Sequence, residues 1–161
     1  MAHFFAEAVA AKRPAASWVL YVSIAYAAVL ALMSLLQLFS LEEFVPIIQD
    51  YALPGGVGTA TLFACGVITA QVFSLPYLLR MAVSPLFRLL SCVLSFVAPL
   101  LWFGVGIYAL AADRVLENGG MLGEKLPVAT DGVHIILALL LIVLAVASAY
   151  GLYAKSSDVK S

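Results

Sequence analysis

Charge is what this 161-residue chain has least of: 8 Lys+Arg and 9 Asp+Glu, or 11% of its residues. A soluble domain usually carries about 25% charged residues. With 65% of the chain hydrophobic, there is too little polar surface to cover a water-facing exterior, and a soluble globular unit is excluded. Cysteine is equally scarce. Cys65 and Cys92 have no C-x-x-C spacing, which excludes a disulfide framework and a thioredoxin-type motif. Histidine is limited to His3 and His134, with no C-x-x-C-H sequence, so c-type haem attachment is excluded and no metal site is assigned. Gly55, Gly56 and Gly58 lack the lysine and the strand of a nucleotide loop. No local Ser, His and acid pattern appears, and no catalytic residue is assigned.

What is present is hydrophobic length. Four runs, about 18–38, 57–79, 89–112 and 132–154, hold no Asp, Glu, Lys or Arg. Each supplies the roughly 20 residues that a helix needs to cross a hydrocarbon core of about 30 Å. Period-two alternation is absent, which excludes a transmembrane barrel. Lys12 and Arg13 precede the first run, but that run is longer than a signal-peptide core and no small-residue cleavage site follows it. It reads as the first span rather than a cleaved leader. The fold class is therefore all-α, a single polytopic membrane domain forming a four-helix bundle over 1–161.

Orientation follows from the basic residues. Lys12, Arg13, Arg80, Arg88, Lys155 and Lys160 fall on one side, and only Arg114 and Lys125 on the other. Seven of the nine acids share the side of Arg114 and Lys125. The positive-inside rule places both termini in the cytoplasm and the first and third connections outside. The net charge of −1 hides a split of +4 inside and −5 outside. A basic nucleic-acid surface has no support, so nucleic acid is not an expected partner.

The connections carry local signals. In "SLEEFVPIIQDY", Ser40 and Glu43 are spaced for a capping box and Phe39 with Phe44 for a hydrophobic staple. The segment reads as a short interfacial helix on the outer side, between spans one and two, that Pro46 can bend. "LPGG" at 53–56 turns the chain into span two. Pro76 is expected to end or kink that span, and Ser84 with Pro85 forms an N-cap and first-turn proline for span three. Pro99 is expected to kink span three, which runs on to a stop at "ENGG", 117–120. Thr130 or Asp131 is expected to cap span four.

Small residues mark helix contacts: Ser23, Ala27 and Ala31 in span one, Ala145 with Ala149 and Ala147 with Gly151 in span four. Cys65 and Cys92 are expected as small buried hydrophobes at depths more than roughly 10 Å apart, too far for a disulfide. His134 reads as a capping or interfacial residue. The strongest polar outliers are Gln37 and Gln71. Each can bond a neighbouring helix or help to line a small pocket that also draws on Thr69, Tyr77, Trp102 or Tyr108. No carboxylate or basic residue interrupts a span, which argues against an ion-coupled pump or a voltage sensor.

The stretch "LLQLFSLEEFVPIIQDYALPGG", followed by "ACGVITAQVFSLPYLLRM", resembles the first two spans and intervening segment of DoxX/MauE-like small membrane proteins. The resemblance covers about residues 35–81 at motif level and most of the chain at the level of topology. It implies a bacterial plasma-membrane location and an accessory place in a redox system. Where that pattern has a lysine and a glutamate, this chain has Gln37 and Gln71. A polar family pocket carries over better than acid–base or electron-transfer chemistry.

Three function classes follow. The first is a noncatalytic integral-membrane accessory or assembly subunit of a larger complex, redox-associated as the resemblance implies, with other membrane subunits and lipids as partners. The second is a quinone-linked redox subunit, with Gln37, Gln71, Tyr77, Trp102 and Tyr108 as its cofactor-binding set. The third is a small transporter or lipid-handling protein. The cofactor stays open between a quinone and a structural lipid.

Overall fold

The computed structural model describes residues 16–153. The expectations for His3, Lys12, Arg13, Lys155 and Lys160 lie outside the described residues. The chain forms α1 (Ser17–Phe39), α2 (Leu41–Asp50), α3 (Gly56–Leu78), α4 (Pro85–Ala111) and α5 (Gly132–Tyr153). α1, α3, α4 and α5 are long and apolar enough to cross a membrane. Their limits fall within four residues of the expected spans. α2 is the expected short helix between the first two.

α1 packs on α3 and α5, and α4 packs on the same two neighbours, so the spans close into a ring. α2 lies against α3 at one end, burying Phe44 and Ile48 completely. That end, which also carries the 112–131 segment, is the cap end; the opposite end carries Arg80 and Arg88 and is the basic end.

The helix ends explain the local geometry. Ser84 caps α4 as expected, its hydroxyl accepting from Phe87 N at 3.3 Å, with Pro85 following. Asp131 caps α5, its carboxylate accepting from Val133 N at 2.8 Å. α3 runs through Pro76 and stops in a Schellman motif: Arg80 adopts φ 58, Arg80 N donates to Tyr77 O, and Met81 N donates to Pro76 O. α4 stops the same way at Asp113, φ 52, well before "ENGG". The glycine pair therefore belongs to the loop, because Asp113 already takes the left-handed position.

Three further expectations are corrected. Ser40 makes no side-chain cap bond. Its hydroxyl donates to Leu36 O at 2.9 Å and accepts from Glu124 N at 3.3 Å, so it tethers the 112–131 segment instead. The staple fails because Phe44 is drawn into the core while Phe39 points away from it at 85% exposure. Cys65 faces outward, whereas Cys92 is buried, and both thiols are free.

Pro99 shows how a broken helix bond is repaired. Proline has no N–H for the carbonyl four residues earlier, here that of Ser95. The Tyr26 hydroxyl, from α1 across the bundle, donates to that carbonyl at 2.6 Å.

Candidate functional site

The five residues of the expected cofactor-binding set separate into two groups. Gln37, Trp102 and Tyr108 lie toward the cap end; Gln71 and Tyr77 lie toward the basic end. The offset is set by Phe63, whose ring meets that of Trp102 at 5.6 Å. Gln71 is eight residues further along α3, a rise of about 12 Å. Thr69 faces away from the bundle interior. Tyr77 is buried.

The cap-end group is built around Trp102, which is fully buried. Its ring is edge-on to Phe63 and to His134, the latter at 5.7 Å, and tilted against Phe44 at 6.2 Å. His134 is a correction to the sequence reading. It is neither a cap nor interfacial, but wholly buried, with Nε2 3.1 Å from the Trp102 carbonyl. A carbonyl only accepts, so Nε2 carries the proton and Nδ1 presents a lone pair. Gly106 makes the approach possible: a β-carbon there would stand 2.8 Å from the imidazole Cδ2.

The 112–131 segment covers this cluster and is pinned by buried polar bonds. Gln37 Nε2 donates to Met121 O at 2.8 Å, and the Tyr51 hydroxyl donates to Gly119 O at 2.9 Å. Thr130 closes the base of the loop, accepting from Leu116 N at 2.6 Å. Asn118 braces the turn, accepting from Gly120 N at 2.9 Å. Gly123 sits at φ 72, where a β-carbon would also press on Leu36 O at 2.9 Å. Burial pushes the Tyr51 phenol above its ordinary range, which keeps it a donor.

Tyr51→Phe leaves the Gly119 carbonyl without its donor. The expected loss is ~1–3 kcal/mol of stability, with faster amide hydrogen exchange confined to 117–123. Exchange unchanged in that stretch contradicts the anchoring role.

Polar capacity remains at both levels. Gln37 Oε1, Trp102 Nε1 and His134 Nδ1 have no hydrogen-bond partner at the cap end. Gln71 Oε1 and Nε2, Ser91 Oγ and Ser148 Oγ have none toward the basic end. An apolar surface groove of about 240 Å³ runs beside the cap-end cluster, lined by Leu53, Phe63, Leu101, Gly104, Val105 and Tyr108 among others. Tyr108 closes its rim, its hydroxyl donating to Ala52 O at 3.2 Å. Among the described residues no group of three or more His, Cys, Asp or Glu is placed to hold a metal. The charged side chains of the cap end are mainly acidic and exposed, and the Lys125–Glu124 pair there, at 3.4 Å, is a solvent-exposed contact of little energetic weight.

Sequence reasoning singled out Gln37, Gln71 and Trp102. It missed Tyr51 as an anchor, the burial of His134, and Ser91 and Ser148 as polar interior groups. Comparison with family models, curated proteins and solved structures returned no match. The chain is thus described by its own geometry as a four-span, all-helical membrane protein.

Proposed function

We propose that this protein is a noncatalytic integral-membrane subunit that docks, through the outward face of α3, against a transmembrane helix of another membrane-complex subunit. The observation that carries this reading is the composition of that face. Gly58, Thr61, Cys65, Gly66 and Thr69 all point away from the bundle, with Leu62 as a large knob among them at 76% exposure and Val57, Val72 and Phe73 exposed nearer the helix ends. The outward faces of α1, α4 and α5 are dominated by large side chains such as Leu32, Leu35, Leu89, Leu100, Leu140 and Val143. Lipid tails cover bulky aliphatics well, whereas small residues favour the close approach of a second helix. A redox-associated complex, a DoxX/MauE-like ancestry and a bacterial plasma membrane belong to the same proposal, on the strength of the stretch at 35–81.

Cys65 supplies a native thiol on the proposed face. Cross-linking through it in native membranes is expected to join the chain to one stoichiometric membrane subunit, and Gly66→Leu is expected to abolish both the cross-link and co-purification. A β-carbon at Gly66 meets nothing within 4 Å, so this variant leaves the chain's own packing intact. Cross-links only between copies of this chain, or a complex indifferent to Gly66→Leu, would overturn the reading.

The quinone-linked alternative has one favourable observation, the unpartnered Trp102 Nε1, His134 Nδ1 and Gln37 Oε1 at the cap end, where Phe63 lines the apolar groove and meets the Trp102 ring. A quinone that co-purifies with the isolated chain and is lost with Gln37→Leu supports that alternative over the accessory role.

A further inference from the structure

Each of the four spans contributes buried polar side chains to a layer in the basic half of the bundle. Val19 packs against Gly151, which aligns α1 with α5; Ser23 and Ser148 lie four and three residues from that contact toward the cap end. Phe63 and His134 both meet Trp102, which aligns α3 and α5 with α4. Counted toward the basic end, Gln71 is eight residues from Phe63, Ser95 and Ser91 are seven and eleven from Trp102, and Ser148 is fourteen from His134. Ser23, Gln71, Ser91, Ser95 and Ser148 therefore fall in one layer about two turns deep. All five are 0% exposed.

Their hydrogen-bonding divides them. Ser23 and Ser95 donate back to carbonyls of their own helices, at 2.8 and 2.6 Å. The Gln71 amide, Ser91 Oγ and Ser148 Oγ find no partner, although an amide group alone offers two donors and an acceptor. A buried polar group without a partner is costly in the low-dielectric interior, and water relieves that cost only by reaching it. The belt is closed on its cap side by the Tyr26–Ser95 bond, and that bond meets α4 at the one carbonyl that Pro99 leaves without a helical donor. The Tyr26–Ser95 bond thus links α1 to the α4 segment on the basic side of Pro99, next to a helix break.

We propose that the basic half of the bundle is a conformational gate: the α4 segment 85–98 pivots at Pro99, the Tyr26–Ser95 latch releases, and water reaches Gln71, Ser91 and Ser148. The described conformation is the closed state. Unmet polar capacity in the belt favours opening, and the latch opposes it. This gate is independent of the docking face on α3.

Cys92, buried next to Ser91, reports the opening. In a Cys65→Ser background it is the single thiol, and its modification by a water-soluble maleimide is measured on purified protein in detergent. The expected rate exceeds that of global unfolding. Gln71→Leu removes the polar drive and is expected to slow labelling about tenfold, with a raised melting temperature. Tyr26→Phe removes the latch and is expected to speed labelling about tenfold; each factor corresponds to one buried hydrogen-bonding group. The opposite signs matter, since both substitutions delete polar atoms and a merely structural role moves both the same way. Labelling only at the global unfolding rate, or the same direction of change in both variants, overturns the gate.

Discussion

Trp102→Ala is expected to cost ~3–5 kcal/mol of unfolding free energy and to loosen the entire cap end. The indole is 0% exposed and stands where α2, α3, α4 and α5 meet, in ring contact with Phe44, Phe63 and His134. Truncation leaves a cavity that none of these rings can fill without moving. Phe44 is held by α2, and His134 is fixed by its bond to the carbonyl of residue 102, which the alanine variant retains. Trp102→Phe is expected to lose much less. It keeps an aromatic edge for the three neighbours and removes an indole N–H that has no partner. Unfolding of detergent-solubilised protein, followed by circular dichroism, measures both. An alanine variant within about 1 kcal/mol of the parent, or a phenylalanine variant as damaged as the alanine one, removes Trp102 from the centre of this packing.

The contrast between the spans and the cap shows what is legible in a sequence like this. A bilayer forces each spanning segment to satisfy its own backbone and to be apolar along its length. Both requirements are local, so the lengths and limits of α1, α3, α4 and α5 could be read directly. The Ser84–Pro85 start and the Asp131 cap were readable for the same reason. The cap-end cluster depends on contacts between distant residues. Gln37 and Met121 are 84 positions apart, and Tyr51 and Gly119 are 68 apart. No spacing rule links those pairs. His134 looked interfacial because it is the third residue of a span; it is buried because the 112–131 segment folds back over it.

Local signals also misled where two were in competition. "ENGG" carries strong stop residues, yet α4 ends earlier because Asp113 adopts the left-handed conformation that glycine usually supplies. Ser40 and Glu43 have capping-box spacing, yet the Ser40 hydroxyl is already engaged by Leu36 O and Glu124 N. Ser91 and Ser148 passed unnoticed among the small residues of their spans. Only the alignment of four helices reveals that they belong to one buried layer with Gln71.

Gly151 is the contact on which that alignment partly rests, and substituting it is expected to have the second large effect. A β-carbon at this position would lie 2.4 Å from both γ-carbons of Val19 and 2.9 Å from its β-carbon. Valine is β-branched and stiff at χ1, so it cannot rotate out of the way, and α1 and α5 must move apart instead. In an unhindered helix, glycine to alanine gains about 0.5–1 kcal/mol. Here Gly151→Ala is expected to lose stability, and Gly151→Leu to lose ~1–3 kcal/mol or more through overpacking. Val19→Ala removes both offending γ-carbons. Paired with Gly151→Ala, it is expected to recover most of the loss, giving a favourable coupling of ~0.5–3 kcal/mol in a double-mutant cycle. If the two substitutions simply add, α1 and α5 do not meet at this point. The shared depth of Ser23 and Ser148, which is counted from it, then loses its support.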